Sequence, residues 1–163
     1  MLKCLKYKCQ LNAAYREEER EMIPFCRDQG IAVTPFSPLA RGLLSGNLQS
    51  LRNKTDSFTQ DQYGDATSID IATVVATVAA ARGVTSAQVA LSWVTHRAGV
   101  SSTLFAVDSV AQMDEQIAAL SLHLTPEETA LIDAPYTPCD VINDHHVNRI
   151  PRSARSVSEA IKT

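Results

Sequence analysis

The chain carries three short apolar or β-branched runs, set too far apart to pair as hairpins, with capped helical patterns between them. Residues 5–9 alternate Leu5, Tyr7 and Cys9 with Lys6 and Lys8, the two-residue period of a strand. Ile31 to Phe36 is a compact apolar run of the kind found in buried parallel strands. Thr103 to Val107 is the third. Strands separated by helices join through right-handed crossovers, so the pattern predicts an α/β chain with parallel strands.

The helices are read from their ends. Residues 16–29 predict a helix in which Glu17, Glu18 and Glu19 suit the positive N-terminal end and Gly30 the stop. Pro24 lies inside it and is expected to kink it. Residues 45–67 are polar and predict a long loop, which in a compact domain is usually functional or disordered. Ser68 is expected to cap a helix running to Arg82, with Gly83 as its stop. Thr85-Ser86-Ala87-Gln88 is a capping box for a second helix, which carries Val89, Trp93 and Val94 on one side. Ser109-Val110-Ala111-Gln112 opens a helix bearing Met113, Ile117 and Leu120. Thr125-Pro126-Glu127-Glu128 opens the last, with Pro126 at the first helical position. The predicted order is βαβααβαα. Residues 137–163 lose periodicity and predict a tail with weak helix near Ser156 to Ile161.

Size and charge narrow the function. At 163 residues the chain is one domain by length, and too short for a whole eight-fold α/β barrel, which needs roughly 250 residues. A net charge of −3 supplies no basic field, so neither nucleic acid nor an anionic membrane is an expected partner. No stretch of about 18 apolar residues predicts a transmembrane helix. Lys3 and Lys6 break the N-terminus too early for a secretory signal. Cys4, Cys9, Cys26 and Cys139 have no metal or redox spacing, which predicts reduced thiols and a cytoplasmic protein.

Candidate chemistry concentrates in one turn, Phe36-Ser37-Pro38-Leu39-Ala40-Arg41-Gly42. A bound phosphate needs backbone N–H donors at the C-terminal end of a strand, plus positive charge. The Ser37 hydroxyl, the close approach that Gly42 permits and the Arg41 guanidinium supply these. His145 and His146 are adjacent but point apart on an extended chain and lack an evident third ligand, so no metal site is expected. His96 and His123 fall at helix ends, where His96 suits the helix dipole. No nucleophile elbow or Cys–His pattern appears. A tyrosine that is to act as a proton donor needs charged partners to lower its pKa, and Tyr15, Tyr63 and Tyr136 have none visible in sequence.

Thr34 to Gly46, with Tyr15 to Pro24 and Gly30 to Val33 before it, resembles the middle of an aldo-keto reductase, where a barrel strand runs into a pyrophosphate-binding turn. Phe105 to Gln116 resembles the adenosine-phosphate segment of that family. Leu124-Thr125-Pro126-Glu127-Glu128 and Ala134-Pro135-Tyr136-Thr137-Pro138 resemble its C-terminal end, so the likeness covers residues 8–138. It implies a partial (β/α)8 TIM barrel over residues 1–140, comprising the last three βα units plus C-terminal helices, and a tail at 141–163. It implies a nicotinamide dinucleotide as partner. Phe36 would stack on the nicotinamide, while Ser37, Pro38, Leu39 and Arg41 would cradle the pyrophosphate. Ser109, Gln112 and Gln116 would hold the adenosine end.

Some positions depart from the family pattern. Ala106 stands for a glycine, Gln116 for an asparagine, and Lys8 for a glutamine that holds the carboxamide. Asp108 stands where a basic residue pairs with the 2′-phosphate of NADP. A charge pair is worth about 1 kcal/mol at ~4 Å in water, and Asp108 turns that attraction into repulsion. The resemblance therefore implies NADP(H) weakened by Asp108, with NAD(H) open as the alternative. The family's catalytic Asp, Tyr, Lys and His lie in its N-terminal half. This chain is thus expected to be related to NADP-dependent reduction of aldehydes and ketones, to keep the cofactor-binding half, to lack the tetrad and to be inactive alone. The alternative expectation is a non-enzymatic interaction module or remnant that pairs with a complementary barrel half or with itself.

Overall fold

The computed structural model describes residues 5–46 and 57–141. Two parallel strands, β1 (Lys6–Gln10) and β2 (Ala32–Phe36), form the sheet, in register from Lys6 opposite Ala32 to Gln10 opposite Phe36. Helix α1 (Met22–Asp28) makes the crossover between them. After β2 come α2 (Ser57–Tyr63), α3 (Ala66–Arg82), α4 (Ser86–Thr95), α5 (Val110–Ala118) and α6 (Pro126–Asp133), with 3-10 turns at Glu17–Glu19, Ala40–Ser45 and Ala119–Ser121. The α/β class and the parallel strands follow the sequence pattern.

The third strand differs from expectation. Residues 103–107 do not form a strand; single parallel bridges join Val33 to Val100 and Phe36 to Leu104. Two features of the partner strand explain this. Pro35 has no N–H to give to a ladder. The Val33 N–H donates to the Ser101 hydroxyl at 3.2 Å rather than to a backbone carbonyl. Ser101 N–H to Val33 C=O and Leu104 N–H to Pro35 C=O, both 2.8 Å, still hold the segment beside β2.

Three helix boundaries also move. The 16–29 pattern splits into the Glu17–Glu19 turn and α1, and Pro24 sits in the first turn of α1, where an N–H is not needed, so it causes no kink. The predicted 45–67 loop contains α2 and the start of α3, while residues 47–56 lie outside the described residues. The cap of α3 is Asp65, not Ser68: the Asp65 carboxylate accepts from the Ser68 N–H at 2.9 Å and from its hydroxyl at 2.9 Å. Gly83 ends α3 with φ +64°, as expected.

Helix α4 is the central element. Both halves of the Thr85–Gln88 capping box are formed, at 3.2 and 3.1 Å. Ala87 and every residue from Val89 to Val94 are buried, so the helix is covered on all sides rather than on one. Its Val89, Ala90, Trp93 and Val94 share one continuous core with Leu11, Val33, Leu44, Ile71, Val75 and Ile132. At the C-terminal end of α4, His96 Nδ1 lies 3.0 Å from the Ser92 carbonyl. The Thr125–Glu128 box of α6 is likewise complete, with Pro126 at the start. No single described helix is long and apolar enough to cross a membrane. The predicted helix near Ser156, like His145 and His146, lies outside the described residues.

A buried carboxylate fastens the end of the described chain to its beginning. Glu17, 7% exposed, accepts from the Tyr136 hydroxyl at 2.7 Å, the Cys139 N–H at 2.8 Å and Arg20 Nη1 at 2.9 Å. Burial alone would raise its pKa, but the bonds from Tyr136, Cys139 and Arg20 outweigh this and hold it below the usual carboxylate value. A carboxylate with a depressed folded pKa stabilises fully above its unfolded pKa, and that stability is lost as pH falls through the folded value. We expect the urea midpoint of the wild type to fall on acidification below ~4.5, with that loss reduced in Glu17→Gln.

Candidate functional site

Strand β2 ends in a turn that the backbone holds under strain. Ser37, Ala40 and Arg41 have φ of 58°, 49° and 57°, in the left-handed region that non-glycine residues rarely enter, and Gly42 follows at 100°. Each such non-glycine residue costs of order 1–3 kcal/mol and persists only where its surroundings fix it. The fixing groups are polar, and Asn12, Tyr63 and Thr59 among them are buried. Asn12, fully buried, donates from Nδ2 to the Ser37 carbonyl at 3.0 Å and to the Tyr63 hydroxyl at 3.1 Å, while its Oδ1 accepts the Ala14 N–H at 3.0 Å. Gln10 Nε2 reaches the same Tyr63 oxygen at 2.5 Å. Arg41 Nε donates to the Thr59 hydroxyl at 3.1 Å, and the Ser45 hydroxyl to the Gly42 carbonyl at 2.7 Å.

The turn forms one wall of a cavity of about 540 Å³. Phe36, Ser37, Pro38, Leu39 and Arg41 line it on this side; Gln112 and Gln116 of α5 line it on the other. Seven of the eight residues read from the sequence as cofactor-binding thus meet in a single concavity. The eighth, Ser109, is not part of the lining: its hydroxyl accepts the Gln112 N–H at 3.2 Å and caps α5. The Gln112 side chain reaches back to the Asp108 N–H at 2.7 Å, one residue earlier than a capping box requires.

Three charged side chains also line the cavity. Lys8 projects from β1 with its ammonium 5.2 Å from the Phe36 ring centroid, a cation–π contact. Asp108 and Glu115 line it too, from the segment before α5 and from α5 itself. Gln116 is 4% exposed, and its Oε1 has no hydrogen-bond partner among the described residues. A buried acceptor left without a donor is costly, so it points to a ligand that donates.

The tyrosines are engaged elsewhere. Burial raises the Tyr7 pKa, with a 2.7 Å bond to Glu18 acting in the same direction. Burial raises Tyr136 too, reinforced by Glu17. Tyr63 is raised by burial against the opposing pull of Asn12, Gln10 and Ser37. Burial pushes the Cys9 thiol up to about 12, aided by Glu18 and Cys26. None of these four is prepared to give or take a proton near neutral pH.

A second cavity, of about 380 Å³, lies by the C-terminal end of α4, where the rings of His96 and His123 stand 4.3 Å apart. Among the described residues no three His, Cys, Asp or Glu side chains come together as a metal site.

The sequence profile of the Aldo/keto reductase family matches residues 2–136. The chain belongs to that family. It is 34% identical over 134 residues to an aryl-alcohol dehydrogenase homologue of Schizosaccharomyces pombe, covering 80% of this chain and 38% of that protein. It is 34% identical over 137 residues to the versiconal hemiacetal acetate reductase of Aspergillus parasiticus, covering 78% of this chain and 38% of that protein. An aldo-keto reductase of Alternaria alternata is 38% identical over 129 residues, covering 77% and 34%. The chain thus spans about two fifths of the length of the curated relatives it matches.

Proposed function

We propose that the cavity between the Phe36–Gly42 turn and α5 binds a nicotinamide dinucleotide, and that the chain serves the NAD(P)-dependent carbonyl oxidoreductase chemistry of its family through this site. The observation that carries the reading is the strained turn. Three non-glycine residues in the left-handed region, the first of them tied through its carbonyl to the buried Asn12, form an arrangement that needs a functional reason. It stands at the C-terminal end of a parallel strand, where open α/β sheets and barrels place ligands. The residues fit the group: Arg41 and Ser37 suit a pyrophosphate, Phe36 offers an aromatic face, and the unpartnered Gln116 Oε1 suits the exocyclic amine of a base.

Within this reading residues 1–140 are the cofactor-binding unit and 141–163 a tail. The free thiols of Cys9 and Cys26 suit the reducing cytoplasm. The chain by itself contributes cofactor binding and not the chemical step, because Tyr7, Tyr63 and Tyr136 are committed to Glu18, Asn12 and Glu17. The test is a thermal melt of the purified chain with and without dinucleotide, together with an assay of aldehyde-dependent cofactor oxidation. A ligand at ~100 times its dissociation constant stabilises by about 2.7 kcal/mol, a readily measured shift in midpoint. A raised midpoint without turnover supports the reading. An unmoved midpoint refutes the site, and turnover refutes the claim about chemistry.

A specific observation favours a second reading, pairing with a complementary barrel half or with a second copy. Val110, Met113, Ile117 and Leu120 lie along one exposed stripe of α5 and the turn after it, at 78, 40, 51 and 49% exposure. The far edge of β1 has no strand beside it among the described residues. An uncovered apolar stripe and an open parallel edge are each a surface suited to a partner. A strictly monomeric, well-folded species in sedimentation would count against it.

A further inference from the structure

Resting on the dinucleotide reading above, we propose that the adenosine end of the cavity is built for an unphosphorylated ribose. The chain then selects NAD(H) over its 2′-phosphorylated counterpart through Asp108 and Glu115. The observation is the distribution of charge along the wall. The cations that line the cavity, Lys8 and Arg41, belong to β1 and to the turn after β2. The carboxylates that line it, Asp108 and Glu115, stand with Gln112 and Gln116 at the start of α5 and along it, and no cation lines the cavity from this segment. The cavity is therefore polarised, basic toward the pyrophosphate turn and acidic toward α5.

The acidic end is held in place by its surroundings. The Asp108 N–H is bonded to Gln112 Oε1 at 2.7 Å, which fixes the backbone from which its carboxylate extends. The Glu115 carbonyl accepts from Gln88 Nε2 at 3.2 Å, which ties this turn of α5 to α4. A second, independent feature marks the same end as a ligand site: the Gln116 carbonyl oxygen, buried and without a partner. It calls for a neutral donor such as a base amine, and a base docked there brings its ribose toward the neighbouring carboxylates.

The consequence is a sign change in recognition. A ribose 2′-hydroxyl donates a charge-assisted hydrogen bond to a carboxylate. A 2′-phosphate carries close to two negative charges at neutral pH and has no proton to give at that pH. Against Asp108 and Glu115 it meets repulsion, and among the described residues no cation lines this end of the cavity.

Isothermal titration of the full chain with NADH and with NADPH tests this. The expected result is NADH at least about tenfold tighter, with the deficit of NADPH shrinking as salt is raised, because screening weakens repulsion. Asp108→Arg should bring NADPH to parity or better, and Asp108→Asn, which removes charge at nearly constant shape, should lower the preference several-fold. Asp108 is exposed, so a melt of each variant checks that its fold is kept. NADPH bound as tightly as NADH by the wild type, or a ratio unmoved by Asp108→Arg in a folded variant, overturns the proposal and leaves the dinucleotide site standing. Failure of both ligands to bind overturns the site and this inference together.

Discussion

Replacing Arg97 by alanine should lower stability by about 2–3 kcal/mol, somewhat under the ~3–5 kcal/mol cost of breaking a fully buried pair. Arg97 closes a four-membered ring of charges. Its Nε and Nη2 donate to Glu19 at 2.7 and 3.1 Å, and its Nη1 to Asp133 at 2.9 Å. Arg16 makes the matching contacts, 2.8 Å to Glu19 and 3.0 Å to Asp133. The two arginines lie over the Trp93 ring at 4.2 and 5.4 Å, and the indole N–H donates to Asp133 at 2.9 Å. With side-chain exposures of 16–26% the ring is shielded but not sealed, which sets the estimate between surface and buried values. Burial would raise the Glu19 pKa, and Arg97 and Arg16 more than reverse it. The loss on mutation should therefore be full near neutral pH and shrink as Glu19 protonates in acid. Urea denaturation of wild type and Arg97→Ala at neutral and acidic pH measures both. Arg97→Lys should recover only part, because an ammonium cannot reproduce the two-pronged contact with Glu19.

Asn12→Ala should cost about 2–4 kcal/mol, because it strips partners from several buried groups at once. The Ser37 carbonyl and the Ala14 N–H each lose a bond that Asn12 supplies, and the Tyr63 hydroxyl loses one of its partners. The second effect falls on the site. With Ser37 no longer held, its left-handed φ should relax and the turn lose its shape. Dinucleotide affinity should then drop by more than tenfold even at temperatures where the variant remains folded. A denaturant melt and a ligand titration on the same preparation separate the two effects.

How much of this was legible in the sequence depends on the range of the interaction. The capping boxes at Thr85 and Thr125 are local, closed within four residues, and form as read. Parallel β1 and β2, the Phe36–Gly42 turn and its meeting with Gln112 and Gln116 also follow the reading. The third strand was misread because its pairing depends on the neighbour: Pro35 and the Ser101 hydroxyl, not the composition of residues 103–107, decide whether a ladder forms. The α3 cap was placed at Ser68 because both Asp65 and Ser68 are good capping residues, and only geometry shows Ser68 as the donor. The Gln10–Asn12–Tyr63 cluster and the Arg16–Glu19–Arg97–Asp133 ring had no sequence signal. The contacts that close them span 51 residues for Asn12–Tyr63, 78 for Glu19–Arg97 and 36 for Arg97–Asp133. Lys6 and Lys8 did carry one: lysines alternating along a strand predict an open face, and both are exposed.

The most direct test of the account is an amide NMR titration of the isotopically labelled chain with NADH. The account predicts shifts confined to residues 36–42 and 104–116, with Gln116 side-chain resonances among those that move most and the His96–His123 cavity silent. Shifts centred on His96 and His123, or no shifts at millimolar ligand in a folded chain, would contradict it.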